Sequence, residues 1–360
     1  MVDTIVLLLT QDMFFFNEKS QKNSSYKPRI TLVSKLKSQK NYKNKPEKNL
    51  KIELSLPKLL FGNNFEELQY KNRFEIFSKL VNVLKEMGIT ATIEAIANAS
   101  VSAIHYSKNI PFTDGATPYH FINKIKQTNV KLSLDVNQTD YRNDGHCYKW
   151  HCNSYEIVFY DKIKDLEKSK TSEKRALEKE NKIQLNLLNN LKKQKKLKKF
   201  EVFRMEIRLN KRQKIKQLFK KLNIKADLIF KKLFKPAISK KILLHYLDEL
   251  ENKRPILLDY KTSNEKALLA DLIFNNPALG PKKILQIYGL KHALDVMNIG
   301  ELRQMFSAYN KRSWDRLIAD TNKIKLPKVE SSFGVIRKHL EKFKPLKKSK
   351  YLSKIHTIKL

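Results

Sequence analysis

The chain has 360 residues, 41% of them hydrophobic, which allows a sizeable core and suggests two domains. Lysine and arginine number 73 against 36 aspartates and glutamates, so the formal net charge is +37. A protein with so large a positive charge usually binds a polyanion. Nucleic acid is therefore favoured as the partner, and an anionic membrane surface is the weaker alternative.

Cysteine content and hydropathy exclude further classes of protein. Cys147 and Cys152 are too few for a disulfide framework or a four-thiolate zinc site, and a reducing, cytoplasmic compartment fits them. No run of about 18 apolar residues predicts a transmembrane helix. Residues 1–10 are apolar but carry Asp3 and no basic stretch, so they predict a first buried strand and not a signal peptide.

The first 209 residues alternate between β-type runs and polar loops. Helical periodicity predicts helices at 74–87, where Gly88 would follow the last turn, and at 118–127. A charged insert at about 163–199 predicts either a solvated helix or an arm that contacts the DNA backbone through lysines such as Lys195 and Lys196. The predicted strands are 2–9, 29–33, 50–56, 100–107, 130–136, 146–151, 154–160 and 200–209.

The pattern is helical from residue 210 onward. A basic helix at 211–221 would dock its apolar side on the core and present lysines to phosphate. Farther along, Tyr309 and Trp314 are favoured as core residues over base-stacking platforms.

We therefore predict an α+β protein with a domain boundary near residues 225–236. The first domain would be an antiparallel β-sheet domain of nuclease type with flanking helices, and the second would be all-helical. The expected bounds are 1–225 for the sheet domain, 236–345 for the helical domain and 346–360 for a basic tail.

The strand at 154–160 carries the most informative polar face. Strand alternation places Glu156 and Tyr160 on the side opposite the core-facing residues. Tyr160 ends the strand, and Lys162 lies on the same face if the strand continues. In so basic a chain this phenol is a candidate nucleophile for phosphodiester chemistry. The alternative is a strand-end tyrosine whose hydroxyl lies in water.

Two more polar strand faces are candidates to join Tyr160 on one sheet. His105 belongs to the strand at 100–107, and Arg204, Glu206 and Arg208 form one face of the strand at 200–209. This set suits a metal-assisted nuclease, in which a divalent cation polarises the phosphate, a phenolate attacks in line and arginines neutralise the oxygens. For Glu206 the alternative is an ion pair with a neighbouring arginine.

The order of these motifs resembles the gene II/X type replication initiator proteins of filamentous phages, a rolling-circle class. Residues 1–7 resemble the first strand of that family, and 100–109 resemble its strand that ends in polar residues. The run Phe159-Tyr160-Asp161-Lys162 resembles the family's Tyr-x-Lys, and 203–209 resemble its Arg-Phe-Glu-x-Arg strand. A charged insert separates these last two motifs and a helical C-terminal region follows them, as in the family, so the resemblance covers nearly the whole chain.

The resemblance implies an origin-specific nickase that forms a covalent 5′-phosphotyrosine, leaves a 3′-hydroxyl to prime synthesis and rejoins strands. Tyr160 would be the nucleophile, with Lys162 beside it, and Mg²⁺ or Mn²⁺ would be the cofactor. The chain lacks the His-hydrophobe-His pair of many rolling-circle nucleases, so the expected metal ligands are Glu206, His105 and His151.

The implied partners are the replication origin, as single- and double-stranded DNA, and a host helicase and polymerase, with no membrane. The expected DNA contacts are Arg204, Arg208, Lys211, Arg212, Lys195 and Lys196. Two other interpretations stay open. A non-catalytic DNA-binding protein, such as a repressor or packaging factor, needs only charge and aromatic residues. A tyrosine recombinase needs several arginines and histidines around a late tyrosine, and the C-terminal half is poor in arginine.

Overall fold

The computed structural model describes most of the chain. It covers residues 1–10, 26–35, 47–112, 116–126, 139–142, 145–168, 201–252, 257, 260, 264–297, 299–321, 323–327 and 332–347. The predicted strand at 130–136 and the part of the charged insert beyond residue 168 lie outside these ranges.

A single β-sheet lies at the centre of the described residues. Its strands are β1 (Val2–Thr10), β2 (Arg29–Lys35), β3 (Glu47–Ser55), β4 (Ser100–Phe112), β5 (Thr139–Arg142), β6 (Cys147–His151), β7 (Tyr155–Asp161) and β8 (Glu201–Leu209). The eight strands follow the order β2-β3-β1-β4-β8-β7-β6-β5, and all neighbouring pairs run antiparallel. Together with the helices, this sheet confirms the predicted α+β class.

The described helices follow and flank these strands. They are α1 (Leu56–Phe61), α2 (Arg73–Glu86), α3 (Ile93–Asn98), α4 (Pro118–Lys126), α5 (Lys162–Lys168), α6 (Arg212–Lys221), α7 (Phe230–Leu233), α8 (Pro236–Glu251), α9 (Glu265–Asn275), α10 (Pro281–Val296), α11 (Ile299–Met305), α12 (Lys311–Thr321) and α13 (Ser332–Lys342). Gly88 follows α2 with φ 79°, which confirms its predicted place after the last turn. None of the described helices is long and apolar enough to cross a membrane.

One face of the sheet is apolar and covered by helices. Tyr246 of α8 packs on Tyr155 of β7 with ring centroids 5.5 Å apart. Phe121 of α4 packs on Phe203 of β8 with ring centroids 6.0 Å apart. Each fully buried side chain of this size stabilises the fold by about 1.5–3 kcal/mol. The β8 residues that face these helices, all fully buried, are Phe203, Met205, Ile207 and Leu209.

β4 continues past its predicted end because a distant residue satisfies its polar groups. The ammonium of Lys108 pairs with buried Glu67, and the Asn109 amide donates to the same carboxylate over 2.6 Å. Glu67 also accepts from the Leu346 amide over 2.9 Å, so the start of the predicted basic tail is held against the sheet.

The hydrophobic side chains form two separate clusters. The first spans the sheet, helices α1 to α4 and helices α6 to α8, and it also includes buried residues of α13 such as Phe333. The second runs from Leu257 to Ile324 and is built from α9 to α12. We predicted a domain boundary near residues 225–236, whereas α8 packs on the sheet and Arg337 of α13 donates to Asp248 of α8 over 2.5 Å. The second cluster therefore begins after α8.

Candidate active site

Polar side chains form rows across the other face of the central strands. Directly opposed residues of neighbouring strands share a face of the sheet, so the register identifies the members of each row. In order from β4 through β8 to β7, the rows are His105, Arg208 and Glu156; Ser107, Glu206 and Val158; and Asn109, Arg204 and Tyr160. The sequence prediction that three polar strand faces meet on one sheet is therefore confirmed.

Glu206 lies at the centre of these rows and is only 2% exposed. Its Oε1 accepts a hydrogen bond from Arg208 Nε over 2.8 Å and lies 3.6 Å from His105 Nδ1. Its Oε2 accepts from the Tyr160 hydroxyl over 2.9 Å and lies 3.6 Å from Arg204 Nε. Burial opposes ionisation of the carboxyl, but Arg208 first, and then His105 and Arg204, hold its pKa well below its usual range.

Arg204 is fixed inside the protein by three partners. Its guanidinium contacts Asp3 of β1 over 2.7 Å, donates to the Ser107 hydroxyl over 2.8 Å and donates to the Asn64 carbonyl over 2.9 Å. The side chain is 2% exposed. We expected Arg204 to contact DNA, whereas its position makes it a positioning residue beneath Tyr160, with its Cζ 5.9 Å from the ring centroid.

Asp3 reaches this guanidinium because β1 is irregular at that point. Val2 pairs with Tyr106 and Thr4 pairs with His105, which leaves Asp3 as the extra residue of a β-bulge. Bulges redirect side chains, and here the bulge accompanies a carboxylate that lies against the polar face. The partner of Asp3 was not predicted from the sequence. An acid inside an apolar strand is nevertheless a signal, because a buried carboxylate needs an ionic partner.

The Tyr160 phenol lies on the expected face but is buried, with 8% of the residue exposed. Burial raises the pKa of its hydroxyl well above the ordinary value, against the opposing effect of Arg204. The alternative of a hydroxyl in water is therefore wrong. At neutral pH the phenol keeps its proton and donates a hydrogen bond to Glu206.

Lys162 reaches Tyr160 from a helix and not from the strand. β7 ends at Asp161, whose Oδ1 accepts from the amides of Ile163 and Lys164 at 2.9 and 3.0 Å, and α5 begins there. The fully buried ammonium of Lys162 lies 5.5 Å from the Tyr160 ring centroid. Burial lowers the pKa of Lys162 to about 8, although Asp165, 3.2 Å away, acts in the opposite direction.

The part of the network that reaches solvent is the row of Arg208. The Arg208 side chain is 33% exposed, and it donates to Glu156 over 3.1 Å as well as to Glu206. His105 and Glu156 are each 20% exposed. An incoming phosphate would therefore meet Arg208 first, with the carboxylate of Glu206 directly behind it.

Two of the three expected metal ligands, Glu206 and His105, lie together, but the third does not. His151 extends the Arg208 row onto β6, which places it three strands from His105, roughly 14 Å at ordinary strand spacing. Both oxygens of Glu206 already face cations or the phenol. Among the described residues, no group of three or more His, Cys, Asp or Glu side chains is placed to hold a metal ion. The described donor set therefore does not fit Mg²⁺ or Mn²⁺, which prefer several oxygen ligands.

The remaining predicted DNA contacts lie elsewhere. Lys211 is exposed just before α6, while Arg212 turns inward and donates to the Ser100 hydroxyl over 2.5 Å and the Val101 carbonyl over 2.8 Å. The buried side of α6 is the predicted apolar one, and its exposed lysines include Lys216 and Lys220. Lys195 and Lys196 lie outside the described residues.

The network thus places a phenol against an ionised carboxylate, with two guanidinium groups and a lysine around them. We compared the chain with protein-family models, curated proteins and solved structures, and none matched.

Proposed function

We propose that the protein cleaves and rejoins DNA strands through Tyr160, as an initiator of rolling-circle replication. The observation that carries the proposal is the 2.9 Å hydrogen bond from the Tyr160 hydroxyl to Glu206, a buried ionised carboxylate flanked by Arg204 and Arg208. A nucleophile held by a base, and a base oriented by further groups, is the arrangement that activates hydroxyl nucleophiles.

In the proposed reaction the Tyr160 oxygen attacks a phosphodiester phosphorus. The new bond joins this oxygen to phosphorus, the bond from phosphorus to the 3′-oxygen breaks, and the phenolic proton passes to Glu206. The DNA is left with a 3′-hydroxyl and a 5′-phosphate on tyrosine, and attack by that hydroxyl rejoins the strand. Lys162, whose pKa is about 8, is suited to supply the proton that the leaving 3′-oxygen needs.

Substrate binding would also correct a mismatch in acidity. In the free protein the pKa of Tyr160 is raised and that of Glu206 is lowered, so proton transfer between them is unfavourable. Arg208 contributes most to lowering the Glu206 pKa, and its guanidinium is more exposed than that of Arg204. A phosphate that binds Arg208 adds negative charge beside Glu206, which raises the basicity of that carboxylate when substrate is present.

DNA as the substrate is supported by the charge of the chain. The net charge of +37 attracts a polyanion at long range, and the exposed lysines of α6 offer contacts to the phosphate backbone. Since Tyr160 is 8% exposed, a phosphate reaches its hydroxyl only if the side chains that cover it move aside.

Plasmid nicking by matched tyrosine variants tests this proposal. Purified protein is incubated with supercoiled plasmid that carries the DNA flanking its own gene, and open circles are quantified. Tyr160→Phe removes only the hydroxyl and should lower cleavage at least about a thousandfold, because loss of a nucleophile removes the covalent route. Tyr155→Phe, on the opposite face of β7, should cleave like the wild type. Cleavage by Tyr160→Phe at the wild-type rate would refute the assignment.

A second candidate function is non-catalytic binding of nucleic acid. It is favoured by the burial of Tyr160, since a buried phenol and carboxylate can serve only to satisfy each other. On this account the wild type binds DNA with strong salt dependence, never cleaves it and binds equally well as Tyr160→Phe.

A further inference from the structure

Residues 304–313, from the last turn of α11 to the first turn of α12, form a continuous exposed stretch beside the second hydrophobic cluster. Within it Met305 is 66% exposed, Phe306 43% and Tyr309 70%. Single exposed apolar residues are common, but several in one short turn mark an interaction site. The sequence favoured a core position for Tyr309, and that prediction was wrong.

The exposed rings are held in place from below. Trp314 of α12 is buried in the second cluster and stacks on Phe306 with centroids 6.1 Å apart. Phe306 in turn contacts the Tyr309 ring at 5.7 Å. The Tyr309 amide donates to the Phe306 carbonyl over 3.1 Å, which closes the turn between them. The outer ring is therefore preorganised, and binding a flat ligand on it costs little side-chain entropy.

Cations surround the same turn. Lys311 and Arg312 begin α12 and are exposed, and Arg316 lies exposed one turn after Arg312 on the same side of the helix. The first turn of α12 contains no acidic residue. Cations at this end of a helix oppose its dipole, so their placement favours an anionic occupant over a neutral one.

We propose that Phe306, Tyr309, Lys311 and Arg312 form a platform for single-stranded nucleic acid. An unpaired base stacks on the Tyr309 ring, and the adjoining phosphates lie against Lys311 and Arg312. Aromatic rings interleaved with cations are the arrangement that binds unpaired strands without sequence preference, because every base offers a π-face. An acidic protein segment would satisfy the cations but would leave the two exposed rings without flat partners.

This platform is independent of the chemistry at Tyr160, so it is tested by binding alone. The full-length protein is titrated into fluorescent oligo(dT) and into a strand of equal length whose deoxyribose units lack bases, and affinity is read from anisotropy. Comparison of the two strands cancels the non-specific attraction of a highly basic chain. The wild type should bind oligo(dT) more tightly, and Tyr309→Ala should reduce the ratio of the two affinities roughly tenfold.

Three further variants identify what the ring and the cations contribute. Tyr309→Trp keeps a stacking surface and should keep the wild-type ratio. Phe274→Ala removes an aromatic side chain that is 82% exposed on α9 and should also leave the ratio unchanged. Lys311→Gln with Arg312→Gln should weaken binding of both strands alike and lower its salt dependence. An oligo(rU) arm shows whether RNA shares the site, since the stacking chemistry is common to both.

The proposal is overturned if the wild type binds the two strands equally, or if Tyr309→Ala keeps the wild-type ratio. It is also overturned if Phe274→Ala lowers the ratio as much as Tyr309→Ala does. Thermal unfolding of each variant accompanies the titrations, and Tyr309→Trp decides the case if Tyr309→Ala proves unstable.

Discussion

Charged and aromatic side chains meet opposite surroundings at the polar face of the sheet and at the platform of residues 304–313. On the sheet, Arg204 and Glu206 are each 2% exposed, and the Tyr160 hydroxyl donates a hydrogen bond to the Glu206 carboxylate. On the platform, Tyr309 is 70% exposed and Lys311 stands at the surface. Buried ions need partners inside the fold, whereas the exposed set remains available to a partner from outside.

The two sites therefore respond differently to substitution. Removing one member of the buried network leaves its partner as an uncompensated charge, so stability and activity fall together. Removing one member of the platform changes binding and leaves the fold nearly untouched.

Arg204→Met should destabilise the protein by about 3–5 kcal/mol, because it leaves Asp3 buried without its cation. Denaturant unfolding followed by circular dichroism measures the change. The matched control is Arg312→Met on the platform, which should shift the free energy of unfolding by no more than about 0.5 kcal/mol. Equal effects of the two variants would contradict the contrast between the sites.

Lys162 should make stability rise with pH above about 8. Its folded-state pKa is about 8, below the ordinary value of 10.5, so between these two values the unfolded chain binds the extra proton. The gain in the free energy of unfolding is complete above pH 10.5, where Lys162 is neutral in both states, and it is lost as pH falls through 8. Relative to Lys162→Met, the wild type should gain up to about 3 kcal/mol across this window. Parallel curves for the two proteins would show that Lys162 titrates normally.

Chelation should have the smallest effect. The sequence resemblance implies a metal, but both oxygens of Glu206 face cations or the phenol. We therefore expect EDTA to leave plasmid cleavage by the wild type unchanged. Loss of cleavage that Mg²⁺ or Mn²⁺ restores would place the metal ligands in residues beyond the described ranges or in a rearranged site.

Strand alternation carried the successful predictions from sequence. It placed Glu156 and Tyr160 on one face, and it placed Arg204, Glu206 and Arg208 together, because a period of two needs no knowledge of the partner strand. The arginines of β8 have their acidic partners on other strands, Asp3 for Arg204 and Glu156 for Arg208.

What the sequence could not supply were partners distant along the chain. β4 was predicted to end at Ser107, yet it continues to Phe112, and Glu67 satisfies Lys108 and Asn109. Lys162 was placed by strand geometry, whereas a helix begins at that residue. Tyr309 was assigned to the core because helical periodicity does not register the short turn at Phe306–Ala308 that exposes it.

The proposed reaction requires a covalent bond between Tyr160 and DNA. Trapping the reaction on a single-stranded oligonucleotide, digesting the complex with protease and nuclease, and locating the modified residue by mass spectrometry tests for this bond. We predict a nucleotide joined through its 5′-phosphate to Tyr160, absent from Tyr160→Phe and present in Tyr155→Phe. Cleavage of the DNA with the adduct on another residue, or with no adduct, would contradict the account.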